Sequence, residues 1–129
     1  MKSGVMIRLI MDLFLKFSIN AARRLPNLPA EHPCSRVHGH TFDIEVHVTG
    51  RVEESSGWVL DFADLDGPID HVKGTLDHRY LNDIDGLSNP TSERIAIWTW
   101  KEISQRVSGL SKVVVLEGAD RGCVYHGPE

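Results

Sequence analysis

The sequence predicts an α+β domain built on an antiparallel sheet, and three observations carry that expectation. Residues 41–51 alternate almost perfectly, with Phe42, Ile44, Val46 and Val48 on one face and Asp43, Glu45, His47 and Thr49 on the other, the period of a half-buried strand. Asn89-Pro90 opens a segment whose Ala96, Trp100, Ile103 and Val107 recur at helical spacing, with proline suited to the first helical position. The elements fall in the order ββααββ with no repeated βαβ unit, the mark of helices segregated from an antiparallel sheet.

Each element follows from its residues. Positions 8–18 (RLIMDLFLKFS) are apolar and β-compatible without helix caps, and read as a first strand. Residues 19–40 hold Asn20, Pro26, Asn27, Pro29, Pro33 and Gly39, a density of breakers that predicts a long loop, and such loops are usually functional. After the alternating strand, Gly57 marks a turn. Asp61 reads as the N-cap of a first helix, with Asp64 near the position that completes a capping box. Gly67-Pro68 should leave that helix short or kinked, because proline removes a hydrogen bond and clashes with the preceding turn. Residues 75–90 carry Asn82, Asp83, Asp85, Gly86 and Asn89 and read as a second loop. The second helix ends at Gly109, an apolar strand runs from Lys112 to Glu117, Gly118–Gly122 turn, and Cys123–His126 form a last strand. Trp98 and Trp100 continue the helical apolar pattern and read as core.

Composition narrows the function. A chain of 129 residues is one domain by size, and 41% hydrophobic with 25% charged residues is ordinary globular usage. The net charge of −4 and pI of 5.9 supply no basic field for nucleic acid or anionic lipid. The apolar start resembles a secretory signal, but Arg8, Asp12 and Lys16 break it, and no run approaches the roughly 20 apolar residues of a membrane span. Cys34 and Cys123 lack zinc-finger or CxxC spacing, so a reduced, cytoplasmic protein is expected.

The chemistry concentrates in a few places. His38-Gly39-His40 sets two imidazoles on one face of a strand, where both can reach one metal ion, zinc being the natural candidate; a pair of surface histidines is the plain alternative. Cys34 lies four residues earlier, where a metal or an imidazolium would favour its thiolate, although a free cysteine is commonly an inert small hydrophobe. In Asp77-His78 the carboxylate can orient the ring and raise its basicity, or the two can form a solvated loop pair. Glu117 ends an apolar run, where a ligand rich in N–H donors would satisfy it, unless it simply leaves the sheet at an exposed end.

The runs AARRLPNLPAEHPCSRVHGHTF (21–42), GWVLDFADL (57–65), LDHRYLND (76–83), NPTSE (89–93) and VVLEGADRGCVYHG (114–127) together resemble the 6-pyruvoyltetrahydropterin synthase superfamily. The three-residue gap between Cys34 and His38 is similar to its bacterial 6-carboxytetrahydropterin synthase branch, which serves queuosine (7-deazaguanine) biosynthesis. The resemblance spans about Met11 to Gly127, so residues 11–129 are expected to form one pterin-binding domain and residues 1–10 an N-terminal extension. It implies a T-fold, a four-stranded antiparallel sheet with two helices on one face, whose protomers join edge to edge into a trimeric barrel, usually stacked as a homohexamer. Active sites then lie between subunits.

The resemblance also implies roles. His38 and His40 match two zinc ligands, Cys34 the catalytic cysteine, Asp77 and His78 an acid-base pair, and Glu117 the carboxylate that anchors the pterin; Thr91 and Ser92 lie in the stretch bordering the ring. The implied reaction is a lyase conversion of 7,8-dihydroneopterin triphosphate to 6-carboxytetrahydropterin, releasing acetaldehyde and triphosphate. Arg24, Arg36 and Lys73 are candidate partners for the phosphates. One position departs from the pattern: where members carry AAHRLP this chain reads AARRLP, so Arg23 stands at the third zinc-ligand position. A guanidinium has no lone pair to offer a metal. His32 is the nearest substitute histidine, though it matches another family position. The alternatives are a non-catalytic or metal-impaired pterin-binding homologue and a 6-pyruvoyltetrahydropterin synthase.

Overall fold

The computed structural model describes residues 9–129 and places four strands and two helices in the expected order. Strand β1 (Ile10–Arg23) pairs antiparallel with β2 (His38–Arg51), β2 with β3 (Leu110–Glu117), and β3 with β4 (Gly122–Tyr125), so spatial order follows chain order. Helices α1 (Ala63–Leu76) and α2 (Ser92–Ser104) connect β2 to β3. Their buried stripes, Leu65, Ile69, Val72 and Leu76 on α1 and Ile95, Ala96 and Ile103 on α2, share one core with Ile19, Phe42, Ile44, Val46, Val113 and Val115 of the sheet. The proposed 1–10 extension falls mostly outside the described residues, but Ile10 already pairs with Arg51.

The end of β1 and the start of β2 differ from expectation for one shared reason. The predicted 19–40 loop is strand at both ends: β1 continues through Ile19–Arg23, and β2 starts at His38 and not at Thr41. Residues 19–23 lie opposite 38–42 in unbroken register, from Ile19 against Phe42 to Arg23 against His38. Paired ladder bonds outweigh the weak strand preference of Asn20 and Gly39. Only the intervening prolines remain loop, with one short 3-10 turn at Pro33–Ser35.

Helix α1 also runs farther than expected, passing through Gly67-Pro68 to Leu76. Its apolar stripe is buried both before and after Pro68, so packing offsets the single lost hydrogen bond. The N-cap is Phe62, whose side chain makes no cap bond, and not Asp61 as expected; Asp61 stands one residue earlier, its carboxylate accepting the Ala63 N–H at 2.9 Å. The second helix begins later than expected: Thr91 is its N-cap, accepting from the Arg94 N–H, and Pro90 precedes the cap. Val107 lies beyond the helix and, like Trp98 and Trp100, packs against the core while only partly buried. β3 starts at Leu110, and β4 ends at Tyr125.

Gly109 makes the tight entry into β3, with φ of +81° and its carbonyl accepting the Thr49 N–H at 2.8 Å. An added Cβ would sit 2.9 Å from the Thr49 carbonyl oxygen. Gly109→Ala is therefore expected to destabilise by about 1–3 kcal/mol, through strain at positive φ and this clash. In urea titration the midpoint should fall with the slope unchanged.

Candidate active site

The β1–β2–β3 register assembles the core of the site. Arg23 faces His38, Ala21 faces His40, and Phe42 faces Glu117. Because side chains alternate, positions 38, 40 and 42 project to the same face, the helix-covered side on which Phe42 and Ile44 are fully buried. The rings stack up the strand, His38 edge-on to His40 with centroids 4.9 Å apart and His40 tilted on Phe42 at 5.6 Å.

Arg23 fills the space between these groups. Its side chain is only 4% exposed, its guanidinium is ion-paired with Glu117, Nη1 donates to the Pro90 carbonyl at 2.9 Å, and Cζ stands 4.9 Å from the centre of the Phe42 ring. A buried cation needs such partners, and here a carboxylate, a carbonyl and an aromatic face supply them. Burial, reinforced by the Arg23 charge, lowers the pKa of His40 and favours its neutral form; the Glu117 charge opposes this.

The α2 entry closes another side. Pro90 meets Arg23, and the two residues that follow it open α2: the Thr91 hydroxyl is engaged in capping the helix, while Ser92 is buried with its Oγ unpartnered. Cys34 is half-buried in the 3-10 turn. Its N–H donates to His32 Nδ1 at 3.0 Å, and its carbonyl accepts the Leu25 N–H at 2.8 Å, which ties the cysteine loop to the chain just past Arg23.

Asp77 and His78 approach from the free edge of β1. One carboxylate oxygen of Asp77 accepts the Asn20 N–H at 2.8 Å, and the other lies 3.0 Å from His78 Nδ1. The Asn20 bond first, and then the His78 contact, lower the Asp77 pKa and keep the carboxylate charged. His78 takes φ of +59° while its N–H donates to the Asn20 carbonyl at 2.6 Å, leaving the ring largely exposed. An open depression of about 580 Å³ runs between His40 and His78, floored by Asn20, Ala21 and Thr41 and bordered by Arg79. Arg79 went unnoticed in the sequence, although it directly follows the Asp77-His78 pair. Arg24 is held by Ser35 and Asn82.

A family model for 6-pyruvoyl tetrahydropterin synthase matches residues 12–128. The chain belongs to this family. A Synechocystis relative named 6-carboxy-5,6,7,8-tetrahydropterin synthase is 39% identical over 122 residues, covering 90% of this chain and 93% of the relative. A Pyrococcus furiosus dihydroneopterin monophosphate aldolase is 40% identical over 89 residues, covering 67% and 75%. The solved 6-pyruvoyl tetrahydropterin synthase of Caenorhabditis elegans superposes with a TM-score of 0.87 at 29% identity, covering 95% of this chain and all of that one. The four-stranded sheet with two helices is thus the family's T-fold.

The donor set at the expected zinc position does not fit the metal. Catalytic zinc takes three protein ligands. Here two imidazoles face an ion-paired guanidinium, and among the described residues no group of three His, Cys, Asp or Glu side chains is placed to hold a metal ion. His32 does not complete the set, since its Nδ1 is committed to Cys34.

Proposed function

We propose that this chain is a pterin side-chain lyase of the 6-carboxytetrahydropterin synthase type, acting on 7,8-dihydroneopterin triphosphate in 7-deazaguanine biosynthesis. The observation that carries this reading is the register that gathers His38, His40 and Glu117 on one face while Asp77-His78 docks beside them on Asn20. The Synechocystis relative, matched over nearly its whole length, supports the choice of branch.

In this reading Glu117 accepts the pterin N–H edge. Its pairing with Arg23 holds one oxygen in place, so the carboxylate is oriented before the ligand arrives. Thr91 and Ser92 border the ring. Cys34 takes a proton from the substrate side chain, and His78, its ring oriented by Asp77, returns or removes a proton from the exposed side. Arg79, beside His78 at the mouth, joins Arg24, Arg36 and Lys73 as a candidate for the triphosphate. The β4 edge and the part of the β1 edge before Asn20 are available for further strands, and Ile10, Met11, Phe14 and Val124 expose apolar surface along them, which supports a homo-oligomer, a trimer or hexamer, with sites between subunits. Among the described residues no helix is long and apolar enough to cross a membrane, and a cytoplasmic location accords with the pathway.

Incubation with 7,8-dihydroneopterin triphosphate should yield 6-carboxytetrahydropterin, acetaldehyde and triphosphate in equal amounts; a 6-pyruvoyl product would move the chain to the other branch. The Arg23–Glu117 pair favours one further reading, a pterin-binding homologue without turnover, which tight binding with no product would establish. Metal analysis after dialysis is expected to find little zinc and low activity in the unaltered protein, and near-stoichiometric zinc with higher activity in Arg23→His. Stoichiometric zinc in the unaltered protein would show that another group completes the site.

A further inference from the structure

The loop that carries Cys34 is tied to the rest of the protein at few points. None of residues 24–37 is buried and none joins the core, so packing does not fix them. Among the described residues, the loop's hydrogen bonds to the rest of the chain lie at its two ends: the Arg36 carbonyl meets His38 Nδ1, and the Arg24 main chain meets Asn82. Asn82 Oδ1 accepts the Arg24 N–H at 2.9 Å, while Nδ2 donates to the Arg24 carbonyl at 2.8 Å and to the Ser88 carbonyl at 3.3 Å. These partners fix which end of the amide is which, since a main-chain N–H only donates and a carbonyl only accepts. Two further bonds carry the hold to the thiol-bearing turn: the Leu25 N–H donates to the Cys34 carbonyl at 2.8 Å, and Arg24 Nε to the Ser35 carbonyl at 3.2 Å. Asn82 is itself well anchored. It lies in the 3-10 turn Leu81–Asp83, whose Leu81 is fully buried, and the run just before it is clipped to β1 at Asn20 and Ala22.

We propose that Asn82 is a positioning residue for the lyase reaction: its carboxamide fixes the Cys34 loop to the strip of chain that carries Asp77 and His78, and so sets where the thiol stands. The Asp77 carboxylate, the Arg79 carbonyl and the Asn82 carboxamide meet Asn20, Ala22 and Arg24 in turn, so one continuous segment holds both the acid-base pair and the cysteine loop against the end of β1. Asn82 touches no reacting atom and acts through Cys34. Proton transfer needs its groups within hydrogen-bond reach, so a loop free to shift by about 1 Å loses rate without losing ligand. The residue type follows from the same bonds. Aspartate at position 82 could still accept from the Arg24 N–H but would set a charge, and no hydrogen, against the Arg24 and Ser88 carbonyls; alanine offers neither group. This inference rests on the lyase reading above, in which Cys34 takes a proton from the substrate.

The test is a double-variant cycle on turnover of 7,8-dihydroneopterin triphosphate, with Asn82→Asp introduced into the unaltered protein and into Cys34→Ala. With the thiol present, Asn82→Asp should lower kcat by at least about tenfold while KM stays within about threefold. With the thiol already absent, the same substitution should lower the residual kcat by about twofold or less, because no thiol remains to be misplaced. A merely structural residue would lower the urea midpoint without that dependence on Cys34. Equal factors in the two backgrounds, or an unchanged kcat in Asn82→Asp, would overturn the positioning role and leave the lyase reading standing. Absence of product from the unaltered protein would overturn the lyase reading and the positioning role with it. Nitrogen-15 relaxation of the unaltered protein adds a check that needs no variant to fold: the order parameter of the Arg24 amide should match the rigid strand before it, about 0.85. A value nearer to about 0.6, the flexible range, would show that Asn82 does not hold the loop and would overturn the proposal.

Discussion

Glu117→Ala is expected to lower the stability of the fold by about 3–5 kcal/mol, the range for breaking a buried ion pair from one side. The loss is steep because Arg23 is only 4% exposed and would keep its charge with no carboxylate beside it, only the Pro90 carbonyl and the Phe42 ring. The family resemblance makes Glu117 a pterin-anchoring residue; its pairing with Arg23 makes it a structural residue as well. The double variant Arg23→Met/Glu117→Leu should recover most of the loss, since replacing both partners by apolar groups is often close to neutral. Urea unfolding of the two single variants and the double variant measures the coupling directly. Additive losses would mean that the pair contributes nothing of its own.

Cys34→Ala is expected to reduce kcat by about 10²–10⁴, the range for removing a general acid or base, with pterin affinity nearly unchanged. Stability should barely move. The residue is half-buried in a loop whose recorded ties run through its backbone, the N–H to His32 and the carbonyl from Leu25, and alanine keeps both. Near-normal turnover in a folded Cys34→Ala protein would remove the thiol from the chemistry.

Patterns that a single element carries could be read directly from the sequence. The alternation of Phe42, Ile44, Val46 and Val48 locates β2, and the helical spacing of Ala96 and Ile103 locates α2 and its buried face. What escaped depends on residues distant in sequence. Asn20 and Pro26 read locally as loop, yet β1 persists to Arg23 because residues 38–42 pair with it on one side and the Asp77–Tyr80 segment on the other. Pro68 reads as a helix break until the buried surface on both sides of it is known. The candidate site divides in the same way. His38-Gly39-His40 stands out as a motif, whereas the Arg23–Glu117 ion pair joins residues 94 positions apart and exists only through a three-strand register.

The docking of residues 77–80 against β1 also leaves a mark that proton-deuterium exchange can read. The Asn20 N–H and Ala22 N–H point away from β2, to the Asp77 carboxylate and the Arg79 carbonyl. By the two-residue repeat, the amides of Asp12, Phe14, Lys16 and Ser18 point the same way. Among the described residues none of these four has a backbone acceptor outside the β1–β2 ladder. Within one strand, then, adjacent amides belong to different kinetic classes. In an isolated protomer the outward amides from 12 to 18 should exchange rapidly while those of 20 and 22 are retained with the core. When a second chain adds its strand to this edge, the fast class should vanish and the slow class stay as it was. The exchange pattern of one strand therefore counts subunits at that edge without any measurement of mass.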